Sequence, residues 1–199
     1  VASGDASADL TVASVATTGT LTDAAGNAMT SFSIGTNLAA QAGKTLVIET
    51  TPPTIQNITS STDNDTYGVG DNINVTVTFS EDVTLSGSGA VFTIPLETGS
   101  TNADYEVEVS TISSSGTASG TYTVRANDTS AGSDLTVKTD PGLSTTGTMK
   151  DDAENTLSDF SIPAGQNLDD LKNIKIDGAY PTITSITTTA EDGTYIIGD

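Results

Sequence analysis

The sequence predicts an all-β protein built of antiparallel β-sandwiches, and three features lead to this fold class. Apolar and polar residues alternate along several short segments, which is typical of half-buried strands. The segments between them are rich in Gly, Asn, Asp and Ser, the residues that favour turns. The chain also repeats itself over a long fixed interval, as tandem arrays of small domains do.

The clearest predicted strand is NINVTVTFS at 72–80, which places Ile73, Val75, Val77 and Phe79 on one face. Its other face is rich in Thr, whose β-branched side chain fits a pleated surface. Further strands are predicted at TIQNIT (54–59), AVFTIPL (90–96), ADYEVEVSTI (103–112), GTYTVRA (120–126), DFSI (159–162) and NIKID (173–177). This pattern indicates about seven to nine strands in roughly 125 residues, as in an Ig-like β-sandwich.

The connections between these strands have the composition of turns. They include SGSG (86–89), ETGSTNAD (97–104), SSSGTASG (113–120) and DTSAGSD (128–134). No amphipathic helix of useful length is predicted, and only NLDDLKN at 167–173 has the character of one short helical turn.

The internal repeat has an offset of 128 residues, because residues 52–71 align with 180–199 and Pro53 aligns with Pro181. TTGTLTDAAGN at 17–27 likewise aligns with TTGTMKDDAEN at 145–155. We expect three units: the C-terminal part of one repeat over 1–50, a complete repeat over 51–178, and the opening strand of the next repeat over 179–199. In the native setting we expect both partial units to be completed. A longer polypeptide is favoured for this over strands from a neighbouring subunit.

Composition excludes several function classes. The chain has 6 Lys and Arg against 26 Asp and Glu, a formal charge of -20, so it repels nucleic acid and anionic membrane surfaces. It has no Cys and no His, which excludes disulfides, thiolate nucleophiles, zinc–sulfur sites and a histidine base. No apolar run is long enough to cross a bilayer, so no membrane insertion is expected.

The order of motifs resembles a known family. The matching pieces are PTIQNITSSTDNDTYGVGDNINVTVTFSEDV (53–83), NDTSAGSDLTV (127–137), GTLTDAAGN (19–27) and KTLVIETTPPT (44–54). They are similar to the Ig-like tandem repeats of large bacterial surface adhesins and related cell-surface proteins, including swimming-motility surface proteins. The resemblance implies an extracellular, non-catalytic spacer or adhesive module at the cell surface, often stiffened by calcium. The complete repeat departs from the pattern with DDAEN at 151–155, which weakens the expectation that the glycine of DAAGN is needed for a left-handed backbone.

Oxygen-bearing side chains in the predicted loops are of the kind that calcium prefers. The family topology implies that the turn after the 72–80 strand and the DDAEN turn lie beside the incoming linker, so that their acids converge on one ion. The predicted ligands are Glu49, Glu81, Asp82, Asp151, Asp152, Asn155 and Asp177. The alternative is that these residues only form turns, since Asp and Asn side chains bond the nearby backbone.

Two functions remain open at this level. The first is a structural array that forms a stalk, filament or surface layer and associates with neighbouring repeats or copies of itself. The alternative is an adhesive module that recognises a carbohydrate, such as a surface glycan, or a partner protein. Loops of Ser, Gly, Thr and Asp favour the array, because a binding module is expected to carry aromatic residues in its loops. Catalysis is not expected, although paired carboxylates can hydrolyse glycosides.

Two weaker patterns have ordinary explanations. Glycosylation triplets begin at Asn57, Asn64 and two further Asn residues, as chance produces in a chain rich in Asn and Thr. Lys44 and Lys172 recur before the last strand, where an isopeptide bond is one interpretation. We favour the other, a solvated lysine that discourages pairing at a strand edge.

Overall fold

A computed structural model describes residues 1–32, 37–38, 45–99 and 103–198. Its regular structure lies between residues 55 and 176 and is almost entirely β. The elements are β1 (Ile55–Thr59), β2 (Thr66–Tyr67), β3 (Asn72–Ser86), β4 (Phe92–Leu96), β5 (Tyr105–Val109), β6 (Ser115–Thr123), β7 (Ser144–Thr145), β8 (Thr148–Lys150), α1 (Leu168–Leu171) and β9 (Lys175–Ile176). The all-β prediction is confirmed. No helix in the described ranges has the length and apolarity needed to cross a membrane.

The strands form two antiparallel sheets and one small parallel pair. The first sheet has the order β1-β3-β6, and β8 pairs with the later part of β3. The second sheet has the order β5-β4-β7, while β2 and β9 pair in parallel. A single apolar core includes residues from both antiparallel sheets. Phe79 of β3 and Phe92 of β4 meet there, with ring centroids 6.0 Å apart.

Strand β3 follows the predicted alternation. Ile73, Val75 and Val77 are fully buried, whereas Thr76 between them is only partly covered. The strand is longer than predicted, since it continues through the SED segment to Ser86. The prediction of a turn at SED is therefore wrong. The chain instead keeps an extended conformation and changes its pairing partner there.

The predicted turn at 113–120 is also wrong, because β6 begins within it. Its small residues serve packing rather than a turn. Gly120 lies opposite Val75 in the ladder, and a Cβ added to it would collide with a methyl group of Val107. Ala118 of the same strand is buried. A strand of Ser, Gly and Thr is thus accommodated where the two sheets approach each other closely.

Other local predictions have mixed outcomes. DFSI at 159–162 forms no regular strand, and NIKID is reduced to the short β9. The helical turn is confirmed as α1, whose N-cap is Asn167. The Asn167 side chain accepts a hydrogen bond from the amide of Leu168 at 2.7 Å. A capping box is also present: the backbone amide of Asn167 donates to the Asp170 side chain at 3.0 Å, and the backbone amide of Asp170 donates to the Asn167 side chain.

The chain enters and leaves the sandwich at opposite ends. At entry, the carbonyl of Thr54 accepts a hydrogen bond from the amide of Ser80 at 2.9 Å. At exit, the amide of Asp177 donates to the carbonyl of Tyr67, also at 2.9 Å. Strand β3 runs from the exit end to the entry end, because it begins five residues after Tyr67 and reaches Ser80 eight residues later.

Residues before the sandwich repeat its closing hydrogen-bond pattern in sequence-equivalent positions. Three backbone hydrogen bonds before the sandwich each have an equivalent within it. The amide of Ser7 donates to the carbonyl of Ile48, as the amide of Ser130 donates to that of Ile176. In the same way, the bonds from Leu10 to Leu46 and from Met29 to Leu21 correspond to those from Leu135 to Ile174 and from Leu157 to Met149. Side-chain bonds recur as well, since Asn37 bonds Val12 in the same way as Asn167 bonds Val137. The two segments therefore share one local framework.

Gly178 and its equivalent Thr50 are bonded to equivalent loops, Gly178 through its backbone amide and Thr50 through its side-chain hydroxyl. The amide of Gly178 donates to the carbonyl of Asp128 at 2.7 Å. A Cβ at Gly178 would lie only 2.8 Å from that carbonyl oxygen. At the equivalent position, Thr50 makes the connection with its hydroxyl, which accepts from the amide of Gly4 at 3.1 Å and donates to the carbonyl of Asp5 at 2.8 Å.

The flanking segments expose the apolar side chains that the complete repeat buries. Leu21 is 52% exposed, whereas its equivalent Met149 is fully buried. After the sandwich, Ile186 is 90% exposed, whereas its equivalent Ile58 is fully buried. The same sequence pattern is thus packed in 51–178 and unpacked on either side of it.

We expect amide hydrogen exchange to reflect this difference. In a verified monomer of residues 1–199, strong protection should be confined to about 51–178, because among the described residues only that range has strands that are paired and covered by a core. Exchange followed by mass spectrometry on proteolytic fragments measures it. Strong protection throughout 1–50 in the monomer would contradict the prediction.

Candidate metal centre

Three carboxylates from distant parts of the sequence meet at the entry end of the sandwich. Oxygen atoms of Glu49, Glu81 and Asp151 all lie within 4.8 Å of one another. Glu49 precedes the sandwich, Glu81 lies in β3 and Asp151 directly follows β8. All three are among the predicted ligands, so the structure brings together part of the predicted set.

The change of pairing partner in β3 brings these segments together. Up to Thr78 the strand pairs regularly with β6, and the register shifts between Thr78 and Val83. From Thr84 onward it pairs with β8, whose last residue, Lys150, faces Thr84. Glu81 lies at this irregularity, and Asp151 is the next residue after Lys150. Hydrogen bonds of Thr54 with Ser80 place the incoming chain at the same point.

A five-residue loop holds Asp151 in position. The backbone amide of Asn155 donates to Asp151 Oδ1 at 2.8 Å, and the Asn155 side-chain amide donates to Asp151 Oδ2 at 2.9 Å. The same side-chain amide donates to Glu49 Oε2 at 2.5 Å. Asn155 therefore links the incoming chain to the loop, and the predicted ligand acts here as a donor between two carboxylates.

The equivalent loop of the first segment has the same form, but within the described ranges its carboxylate is not part of a cluster of three acids. Asn27 donates its backbone and side-chain amides to Asp23, both at 2.9 Å. These bonds lower the pKa of Asp23. The loop is thus a repeated unit that presents one carboxylate.

The cluster concentrates negative charge. Asp151 is only 5% exposed, and Glu49 and Glu81 are partly buried. Burial raises the pKa of Glu81, and the charges of Asp151 and Glu49 raise it further. The neighbouring cation Lys150 forms an ion pair with Glu154 at 2.7 Å instead. A set of three carboxylates with oxygen-only ligands fits a hard divalent cation such as calcium.

The remaining predicted ligands lie outside this cluster. Asp82 is exposed on β3, and Asp152 accepts a hydrogen bond from Ser114 Oγ at 3.3 Å. Asp177 lies at the exit end, where it accepts from the amide of Ala179 at 3.0 Å. That bond repeats the one that Glu49 accepts from the amide of Thr51 at the entry end. The recurring Lys44 lies outside the described residues.

The loop also corrects one expectation from the sequence. Gly26 of DAAGN has φ +86°, and Glu154, its equivalent in DDAEN, has φ +71°. The position is therefore left-handed in both copies, although one of them carries a side chain. The conformation costs a residue other than glycine roughly 1–2 kcal/mol.

We expect Glu154→Gly to raise the free energy of unfolding by about 0.5–1 kcal/mol, because relief of the strained conformation outweighs the extra flexibility of glycine in the unfolded chain. Glu154→Ala is the matched control, since it also removes the exposed ion pair with Lys150 but keeps the strain. Urea denaturation of both variants separates the two effects. Equal stability of the glycine and alanine variants would contradict the prediction.

A second charged cluster, which the sequence analysis missed, lies at the exit end. Asp128 is fully buried and accepts hydrogen bonds from the hydroxyl of Tyr122 at 2.7 Å and from Arg125 Nε at 2.9 Å. The hydrogen bond with Asp128 raises the pKa of Arg125. Burial raises the pKa of Tyr122, and the hydrogen bond with Asp128 raises it further. Arg125 also lies 5.2 Å above the ring of Tyr105. A lone arginine three residues before an aspartate was the available signal.

Comparison of the chain with protein-family models, curated proteins and solved structures finds no match.

Proposed function

We propose that this chain is part of a tandem array of Ig-like β-sandwiches in a long extracellular surface protein. In this proposal the repeats are non-catalytic spacers of a stalk, filament or surface layer at the cell surface. Calcium held at the junctions stiffens the array. The observation that carries the proposal is the entry and exit of the chain at opposite ends of the sandwich, which lets repeats follow one another in a line.

The recurrence of one hydrogen-bond framework before and within the sandwich supports the tandem arrangement. Arrays of this kind are formed from units that contact chiefly their neighbours. The unit over 51–178 has its own core, while 1–50 and 179–198 carry equivalent but uncovered apolar positions. Each flanking segment fits as one part of a further sandwich.

The Ig-like architecture is supported by the arrangement of the sheets. Two antiparallel sheets share one core, and the early β2 pairs in parallel with the last strand, β9. Two packed antiparallel sheets in about 100 residues are the defining arrangement of this fold class.

The location of the aromatic residues favours a spacer over a carbohydrate-binding module. Within 51–178, Phe79, Phe92 and Tyr122 are buried in the core. The others of this segment, Tyr67, Tyr105 and Phe160, are partly buried and pack against it. None of them forms an exposed platform for stacking on a sugar ring. A strong, reproducible hit on a glycan array would reverse this preference.

The carboxylate cluster supports a calcium site at each junction. Glu49 belongs to the segment that precedes the sandwich, whereas Glu81 and Asp151 belong to the sandwich itself. An ion bound to all three would connect consecutive repeats. Asp177 is the equivalent of Glu49, so it would supply the corresponding ligand to the following repeat.

Small-angle scattering of two copies of residues 51–178 joined in tandem tests this proposal. Asp177 of the first copy then occupies the place of Glu49, next to Glu81 and Asp151 of the second copy. We expect a chelator to leave both sandwiches folded but to change the maximum dimension, because the junction loses its bridging ion. A Glu81→Gln change in the second copy should abolish the response. An unchanged maximum dimension in the unsubstituted tandem would count against junction calcium.

A further inference from the structure

The side-chain amide of Asn155 satisfies two carboxylates at the entry end at once. Its nitrogen donates to Glu49 Oε2 at 2.5 Å and to Asp151 Oδ2 at 2.9 Å. Hydrogen bonds to ionised acceptors are stronger than those between neutral groups, and a donor placed between two acids reduces their repulsion. Glu49 precedes the sandwich, whereas Asp151 belongs to it. The two bonds therefore join the incoming segment to the sandwich through the protein's own atoms.

The backbone holds the other oxygen of each of these two carboxylates. Asp151 Oδ1 accepts from the backbone amide of Asn155 at 2.8 Å, and Glu49 Oε1 accepts from the backbone amide of Thr51. Neither backbone bond depends on the rotation of the Asn155 side chain. If that side chain turns, both carboxylates stay anchored, and the two oxygens that now converge on the amide nitrogen become free.

Glu81 adds a third charge that the Asn155 amide does not reach. One of its oxygens lies within 4.8 Å of oxygens of Glu49 and Asp151, yet among the described residues no hydrogen-bond donor is bonded to its carboxylate. Three acids thus face one neutral amide. A cation held by all three acids would need the space between Glu49 and Asp151, where the amide nitrogen and its hydrogens now lie.

We propose that Asn155 is a reversible switch at the repeat junction. Without calcium it joins the two sides as a hydrogen-bond donor, and with calcium it turns its carbonyl oxygen inward as a further ligand. A half turn of the side-chain amide exchanges its nitrogen and its oxygen, which are a donor and an acceptor of nearly equal size. Calcium takes amide carbonyl oxygens as ligands together with carboxylates. This inference rests on the calcium site of the proposed function.

NMR signals of the side-chain amides in the full chain test the switch. Calcium chloride should shift the signals of the Asn155 side chain and speed their hydrogen exchange, because both donated bonds are lost, and a chelator should reverse the change. Asn27 is an internal control, since its side-chain amide donates to Asp23 at 2.9 Å. In the part of the chain that the structure describes, Asp23 belongs to no cluster of three acids, so the Asn27 signals should stay unchanged.

Two other results would overturn the switch, and they differ in what they mean for the proposed function. If calcium shifts the backbone signals of Glu81 and Asp151 but leaves the Asn155 side-chain signals unchanged, the calcium site stands and the switch is refuted. If calcium shifts no signal at the entry end, the calcium site is refuted together with the switch.

Asn155→Asp gives a second test, because an ionised aspartate at this position accepts but cannot donate. With chelator it should lower the urea midpoint, since a further negative charge replaces the donor between Glu49 and Asp151. It should also bind calcium severalfold more tightly than the natural chain, because no donor has to be displaced and affinity depends on the charge of the ligands. Asn27→Asp is the matched control and should change neither value. A calcium affinity of Asn155→Asp no greater than that of the natural chain would overturn the proposal.

Discussion

Replacing Asp128 with alanine should lower the free energy of unfolding of the sandwich by about 3 kcal/mol. The carboxylate is fully buried and accepts from Tyr122 and from Arg125. Its removal takes away the carboxylate acceptor of the buried Tyr122 hydroxyl and the ion-pair partner of Arg125, whose guanidinium keeps the carbonyl of Ala103 as an acceptor at 2.7 Å. We place the effect at the low end of the range for breaking a buried ion pair, because the Arg125 side chain is 38% exposed and can regain water.

Asp5→Ala is the matched control for this substitution. Asp5 is the equivalent residue of the first segment and accepts from the amide of Ala2 at 2.6 Å, but it is exposed and has Ala2 in place of the arginine. We expect its replacement to change the unfolding midpoint of the sandwich very little. Urea titration measures the free energy of unfolding of both variants, provided that its dependence on urea concentration has the same slope as in the natural chain. A loss of stability below about 1 kcal/mol for Asp128→Ala would contradict the role of Asp128 as the buried partner of Arg125 and Tyr122, since that is the ordinary value for one neutral hydrogen bond.

Calcium should stabilise the chain by about 2.7 kcal/mol when its free concentration is about 100 times the dissociation constant, if it binds only the folded state. The cluster of Glu49, Glu81 and Asp151 is the expected site. Glu81→Gln should abolish this gain. In the presence of a chelator the same substitution should raise stability, because it removes one of three mutually repelling carboxylates. Thermal or urea unfolding of the natural chain and of the Glu81→Gln variant, each with calcium and with chelator, measures the four stabilities.

Asp152→Asn provides the control, because Asp152 follows Asp151 in the chain but points to Ser114. It should keep the calcium-dependent gain. The pH dependence without metal has a definite sign as well. The raised pKa of Glu81 means that its contribution to stability is full below its ordinary value of 4.5 and is lost as the pH rises through the folded-state value. A Glu81→Gln variant that still gains stability from calcium would refute the site.

The strands that sequence predicts well are those with one buried face. Ile73, Val75 and Val77 alternate with threonines, and burial of one face of β3 enforces that period. Only the later part of strand β6 was predicted, within GTYTVRA at 120–126; its first part was missed because its small polar residues also favour turns. The need for Gly120 arises from Val107 on another strand, a contact between the sheets that no local pattern contains.

The candidate metal site was predictable only as a larger set of acids. Glu81 and Asp82 are adjacent in sequence, yet only Glu81 joins the cluster, because neighbouring residues of a strand point to opposite faces. Which acids meet depends on the change of partner within β3, which joins β8 after the irregularity before Thr84. Such a long-range pairing is decided by the packing of the whole sandwich. The recurrence of Asp23 and Asp151 did identify the repeated loop correctly.

The difference between Gly178 and Thr50 limits how freely copies of this repeat can exchange sequence. In a tandem array of the proposed kind, a hybrid of two copies could combine threonine at 178 with the 125–128 loop of the complete repeat. Its Cβ would lie 2.8 Å from the Asp128 carbonyl oxygen and still closer to that of Arg125. A viable hybrid must therefore inherit the glycine and its facing loop together. In an array of the proposed kind, this close contact would couple two segments that lie about 50 residues apart in the sequence and would preserve one difference between the copies.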